Sequence, residues 1–464
     1  MKKVKLPQYP LMWLSDKYCP CFEDTGLGIG CLKVIGNTQF AIPLCPGVIA
    51  LDKSKDPIRK AWLPHENSPT DPAIAPDPGL SLKNRTWTPY CLESSFIYHN
   101  RKFTQQTTVF DYGAGVRITS EGTVKKFSLV GISYGPCKIY YNGTGLTIIE
   151  VSPKLRPLTY SIKFNHEPVV FVSGRCLNET PGKIEFYASR TEWSFVWDKL
   201  SGDLDMAVDI NRAGQTEAAC HESFSSRLEQ SRSNWENYYD ECVPVFNTPD
   251  VRLNKFCEYM AYVYRSNGIK RWGLLSHEYT MPKQTFTGWW MWDSCFHAIA
   301  GSWFKDKNLT WGSLLNIENI QYPPGTTGAG TVTNQAFPHG VDLFLSDDPM
   351  SPRIACMPHL LPEESGDGTH PPIFAQALFS VWSSDGDDLN MQRLLPNALA
   401  YHDWFERLRR SSVIPGLLIV KRWSDSGMDN SPRWGQYGSG IYNTGNTEAK
   451  WSLPVVTVDL NVLS

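Results

Sequence analysis

Between about Phe103 and Ile210 apolar and polar positions alternate in short runs separated by turn residues. The runs are Thr107–Phe110, Gly115–Thr119, Lys138–Tyr141, Leu146–Ile149, Ser161–Phe164, Val169–Val172 and Lys183–Tyr187. Strands this short and this evenly punctuated predict an antiparallel β-sandwich. Tyr141-Asn142-Gly143-Thr144-Gly145 supplies an Asn-Gly pair that tolerates positive φ, which predicts a tight hairpin between two of these strands. Before residue 103 the strand signals are weaker, and the proline-rich stretch Pro64–Pro78 reads as a long loop.

The period changes after about Gln215. Glu217 to Tyr239 is polar and charged with few strand formers, as in a helix crossing between domains. Downstream, Leu253, Phe256, Met260, Val263 and Tyr264 recur at helical spacing, as do Leu394, Ala398, Tyr401, Phe405 and Leu408, and each set reads as a core-facing stripe. Pro371-Pro372 predicts a helix start, because a first turn does not need the missing N–H, with the helix running on through Phe379. Long Gly/Pro loops such as Tyr322–Gly330 and Glu364–Pro372 join these helices. The expected layout is a β-sandwich over residues 1–215, a linker helix over 216–247 and a helical domain over 248–464. No fixed-period repeat is evident, although paired helices with loops gathered at one end suit a toroid.

Composition narrows the function classes. Lys+Arg 44 against Asp+Glu 47 gives a net charge of -3, so no basic excess points to nucleic acid or to an anionic membrane. No apolar run approaches the roughly 18 residues of a membrane span. The start, Met1-Lys2-Lys3-Val4-Lys5-Leu6-Pro7, has basic charge without an apolar segment behind it; a cleaved signal peptide is not expected, and the chain is placed in the cytoplasm. The 12 cysteines show no C-x-x-C pair and read as free thiols. The sequons at Asn84, Asn142, Asn178 and Asn308 are ascribed to chance. His297, His339, His359, His370 and His402 lack metal-ligand spacing, and the glycine-rich Gly435–Gly440 lacks a preceding strand and a phosphate-binding lysine. No metal or nucleotide cofactor is implied.

Candidate chemistry lies in the aromatic second half. Most of the 17 tryptophans lie between Trp235 and Trp451. Flat aromatic walls suit sugar rings, whose C–H faces stack on them while the hydroxyls reach polar side chains; the same tryptophans could equally be core. Two clusters join them to carboxylates. In Phe286–His297, Asp293 is either the cap of a helix begun by Ser294 or an acceptor for sugar hydroxyls in a pocket lined by Trp290 and Trp292. In Trp423–Trp434, Asp425 and Asp429 lie on a loop between two tryptophans, where Gly427, Asn430 and Pro432 forbid a regular helix. That loop is either an Asp-rich surface turn or the seat of a carboxylic acid kept protonated by its aromatic surround.

Taken together and in this order, the two clusters resemble the six-hairpin (α/α)6 glycosidases of glycoside hydrolase family 63 and their mannosylglycerate hydrolase-like relatives, with a more distant likeness to trehalases. The W-x-W-D-S start and the D-S-G-x-D-N-S-P-R-W segment carry the resemblance. It implies a β-sandwich followed by a helical toroid, and inverting hydrolysis of an α-glycosidic bond in a small sugar or oligosaccharide. It assigns Asp429 as the general acid, Trp290, Trp292, Asp293 and Gly427 as sugar contacts, and Asp425 and Arg433 as supports of the acid loop. His370 stands where the family's S-Q-P-P motif places a sugar-binding glutamine. Thr457–Asn461 matches the helix after the acid loop. The family's base is a glutamate well beyond the acid, and neither Glu448 nor Asp459 matches its motif; with Ser464 as the last residue, the expectation is a toroid of about half size carrying the acid side of the site. A non-catalytic sugar-binding fragment is the alternative this leaves open.

Overall fold

A computed structural model describes residues 80–212, 223–336 and 369–420 with short gaps, together with isolated strand segments between 20 and 51 and at 455–456. The chain forms two compact units, Met1–Asn267 with Leu343–Arg353, and Gly268–Asp342 with Ile354–Ser464. Antiparallel sheet dominates the first and helix the second.

In the first unit the large sheet has ten strands. Their spatial order is Cys176–Thr180, Lys183–Phe186, Cys137–Asn142, Gly145–Glu150, Leu158–Phe164, Asp203–Arg212, Gly113–Ser120, Arg101–Phe110, Cys91–Tyr98 and Leu80–Thr88, every pair antiparallel. A second sheet of six strands is centred on Phe127–Tyr134 paired with Arg190–Trp197. The two-residue period is visible in what is buried: Phe103 and Gln105, Val116 and Ile118, Ile162 and Phe164, Leu204 and Met206. The predicted hairpin forms, but its corner lies one residue on from the Asn-Gly pair. Asn142 still pairs with Gly145, and Gly143, at φ 49°, takes the left-handed position.

Helix α1 spans Phe224–Glu241 and α2 Val251–Ser266, both within the first unit. Ser223 caps α1 by accepting from the Ser226 N–H. The helix buries Phe224, Arg227, Ser231, Trp235 and Tyr238, one stripe at helical spacing, and its first turn rests on the sheet where Gly115 leaves room. Arg117 joins the two layers: it binds Asp205 through paired hydrogen bonds of 2.7 and 2.8 Å, and its guanidinium lies 4.7 Å from the Phe224 ring centre. The apolar stripe expected to bury α2 does not. Leu253, Phe256 and Met260 are 47%, 58% and 44% exposed, and the helix buries Ala261 and Tyr262 instead, the latter 5.3 Å from Trp235 ring to ring.

The second unit contains α3 (Met291–Gly301), α4 (Asn308–Leu315), α5 (Ile317–Ile320), α6 (Phe374–Asp385) and α7 (Asp388–Leu408). Helix α6 runs through Phe379 as predicted but opens later than the sequence suggested: Ile373 is its N-cap, and Pro371-Pro372 precede it rather than form its first turn. It ends at Gly386 in the left-handed conformation at φ 70°, and Asp387 caps α7 by accepting from the Asn390 N–H. The Asp385–Asp388 run is thus structural, and its flanking carboxylates also accept indole N–H bonds, Asp385 from Trp311 and Asp388 from Trp382. The α7 stripe packs as its spacing predicts, with Leu394, Ala398, Tyr401 and Phe405 buried. Successive turns of α7 hold the segment 318–330: Arg393 pairs with Glu318, Asn397 with Gln321, and Arg407 donates to the Ala329 carbonyl. Asp425, Gly427, Asp429, Arg433 and Thr457–Asn461 lie outside the described residues.

Candidate active site

Trp289 and Trp290 form a two-residue strand against Gln335–Ala336, and α3 begins at the next residue. Extended backbone sends neighbouring side chains to opposite sides, which divides the aromatic run. Trp289 is fully buried, its Nε1–H donating to the Ser313 carbonyl at 2.7 Å, and Met291 is buried with it. Trp290 and Trp292 remain partly exposed. The choice between core and sugar wall therefore falls differently on adjacent residues. Trp289, Trp311 and Trp404 belong to the core, whereas Trp290 and Trp292 keep surface available for a ligand.

Asp293 is not a helix cap. Because α3 starts at Met291, the N-cap position belongs to Trp290, whose side chain makes no capping bond, and Asp293 is the third helical residue. A carboxylate there faces the positive end of the helix and is favoured by it. One of the N–H groups that a helix start leaves open is taken by a distant residue: the Trp292 N–H donates to Nδ1 of His370 at 3.4 Å. The Trp292 and His370 rings lie 6.0 Å apart at 43°, and the other side of Trp292 meets Phe296 edge-on at 5.2 Å. The structure thus brings Trp290, Trp292, Asp293 and His370 to one end of α3.

The electrostatics follow from burial. His370 is buried, and desolvation pushes its pKa down to about 3, so the ring is neutral. With Nδ1 accepting the Trp292 N–H, the proton of the neutral ring resides on Nε2. His297, one turn beyond Asp293, is likewise held neutral by burial, at about 4, against a smaller opposing effect of its hydrogen bond to the Thr280 backbone. Cys295, between them, is raised by burial first and by the Asp293 charge second, and stays a thiol. Among the described residues no group of His, Cys, Asp and Glu could hold a metal ion. No helix among them is long and apolar enough to cross a membrane.

The segment bearing His370 is fixed by residues that the sequence marked only as core or not at all. Tyr401 on α7 donates to the His370 carbonyl at 2.8 Å and lies 2.5 Å from Thr369 Oγ1, which in turn donates to the Val332 carbonyl at 2.7 Å. A hydroxyl at the centre of a buried stripe needs a partner, and that requirement was the available signal for Tyr401.

Residues 287–452 match the family model of the mannosylglycerate hydrolase MGH1-like glycoside hydrolase domain. A curated mannosylglycerate hydrolase from Thermus thermophilus is 31% identical over 156 residues, 31% of this chain and 34% of that protein, so the matched stretch spans about a third of the relative's length. Among solved structures, a family GH92 inverting mannosidase from Bacteroides thetaiotaomicron aligns with 84% of this chain and 62% of its own at 12% identity and a TM-score of 0.44. A bacterial glucoamylase complexed with acarbose aligns with 68% of this chain and 56% of its own at 10% identity and a TM-score of 0.38. The resemblance read from W-x-W-D-S and D-S-G-x-D-N-S-P-R-W is borne out by the family model, whose span includes both segments.

Proposed function

We propose that the chain is a glycosidase that cleaves an α-glycosidic bond of a small mannoside or glucoside with inversion, mannosylglycerate being the first substrate to test. The contact between Trp292 and His370 at the start of α3, inside the stretch similar to glycoside hydrolases, carries the reading. In this reading Trp290 and Trp292 stack on the sugar, Asp293 accepts from its hydroxyls, and His370 Nε2–H donates to one of its oxygens. The backbone at Gly427 lies against the ring. Asp429 protonates the leaving oxygen, with Asp425 and Arg433 holding its loop. In such enzymes a second carboxylate, roughly 6.5–9.5 Å from the acid, activates water on the opposite face; neither Glu448 nor Asp459 matches its motif, and the residues named here make up the acid side of the site. The architecture that goes with this reading is a β-sandwich before a partial (α/α)6 toroid.

The test joins the chain to the C-terminal part of a mannosylglycerate hydrolase, which supplies the second carboxylate, and incubates the fusion with mannosylglycerate and with aryl α-mannosides and α-glucosides, following sugar release and the anomer first formed by NMR. Turnover with the inverted anomer is expected, with Asp429→Asn lowering it by about 10²–10⁴, the range for loss of a general acid. Absence of release from every substrate by the fusion refutes the proposal, as does an Asp429→Asn fusion as active as its parent.

A further inference from the structure

We propose that Tyr401 is a positioning residue for the site at the start of α3, acting through His370. The inference rests on the reading of Trp292, Asp293 and His370 as sugar contacts, and it adds a residue that cannot itself touch the sugar. Tyr401 is buried on α7, stacked on Trp404 at 6.3 Å and edge-on to Phe405 at 5.0 Å. Its hydroxyl meets the 369–370 segment.

Hydroxyl geometry shows why that group is decisive. Three short oxygen contacts, Thr369 to Val332, Tyr401 to Thr369 and Tyr401 to His370, are served by two hydroxyl protons. If the threonine proton goes to the Val332 carbonyl, the phenol proton is shared between Thr369 and the His370 carbonyl. Deleting one oxygen atom, as in Tyr401→Phe, removes two of the three contacts and leaves the ring packing in place. His370 then loses the partner of its carbonyl and keeps the 3.4 Å bond between its Nδ1 and the Trp292 N–H. That bond is already long, and without the backbone anchor the imidazole loses the orientation that fixes Nε2 as its N–H donor.

The experiment uses the full chain with ¹⁵N-labelled histidine. The imidazole nitrogen signals of His370, assigned through His370→Gln, report the tautomer, and titration calorimetry with D-mannose and mannosylglycerate reports affinity. In the parent a single Nε2–H tautomer is expected. In Tyr401→Phe the expected result is a mixture of tautomers and about tenfold weaker sugar binding, the scale of one lost buried hydrogen bond, with unfolding still cooperative. Thr369→Val, which leaves the phenol proton to the His370 carbonyl alone, should keep the parent's single tautomer and sugar affinity. An unchanged His370 spectrum in Tyr401→Phe overturns the proposal, and so does sugar affinity in that variant within twofold of the parent. A parent that binds neither sugar overturns the sugar reading instead, and the nitrogen spectra still decide whether Tyr401 orients His370.

Discussion

Replacing Gly312 by alanine tests the packing beneath the site. In an ordinary helix interior this change stabilises by roughly 1 kcal/mol, because alanine loses less backbone freedom than glycine. In α4 the sign reverses. A Cβ at this position would lie 2.0 Å from the Glu278 carbonyl oxygen and 3.1 Å from its carbon, both backbone atoms that no rotamer can move aside. The helix and the 277–280 segment would have to separate by about 1.5 Å to reach the ~3.5 Å at which such atoms attract. Three hydrogen bonds hold them together at that point: His277 N–H to Asn316 Oδ1 at 3.1 Å, Asn316 Nδ2 to the His277 carbonyl at 3.0 Å, and Thr280 N–H to Ser313 Oγ at 3.2 Å. A displacement of that size breaks all three, at about 0.5–1.5 kcal/mol each and more where a buried group is left unpaired, for a total of about 3–5 kcal/mol. Urea unfolding followed by tryptophan emission measures it as a lowered midpoint with an unchanged slope. A Gly312→Ala protein as stable as its parent, or more so, refutes the reasoning.

Two further outcomes follow from the site. His370 and His297 are neutral in the fold because burial lowers their pKa to about 3 and about 4, whereas in the unfolded chain each takes up a proton below about 6.5. The unfolded state therefore binds more protons in that window, and stability should fall as pH falls from about 6.5 toward 4, by up to about 1.4 kcal/mol per pH unit for each histidine; urea titrations of the parent and of His370→Gln across this range check it, and a variant with the parent's slope contradicts the assignment. Trp292→Ala should weaken mannose binding at least tenfold with a small change in unfolding midpoint, whereas Trp289→Ala should cost about 3–5 kcal/mol of stability, as expected for deleting a fully buried tryptophan; calorimetry and urea unfolding of the pair separate the two roles.

What the chain reveals before it is folded depends on whether the cause is local. The strands around Thr108, Val116–Ile118, Ile139 and Ile162–Phe164 and the stripe from Leu394 to Phe405 were legible because period and burial coincide there. Helix α2 shows the limit of periodicity: Leu253, Phe256 and Met260 mark a helix correctly, but amphipathic spacing does not say which face finds a partner. The polar composition read over Glu217–Tyr239 likewise hid the stripe that α1 buries from Phe224 to Tyr238. At the site, the residue types of Trp290, Trp292, Asp293 and His370 were legible and their arrangement was not. Asp293 reads as a cap because Asp is a favoured capping residue, yet the strand pairing of Trp289-Trp290 with Gln335-Ala336 starts the helix earlier, and His370 serves the open N–H from 78 residues away.

Five bonds within the second unit share nearly the same sequence separation. Trp311 reaches Asp385 across 74 residues, Glu318 reaches Arg393 across 75, Gln321 reaches Asn397 across 76, and Ala329 reaches Arg407 across 78. The Trp292–His370 contact, also at 78, belongs to the same set. The entropy of closing a chain loop depends on its length only logarithmically, so these contacts wait on essentially one closure, and the first to form makes the rest nearly free of that cost. Contacts so far apart in sequence are slow to meet but arrive together. The N-terminal end of α3 is therefore assembled in the same kinetic event that closes these contacts, rather than as a finishing step on a scaffold already folded.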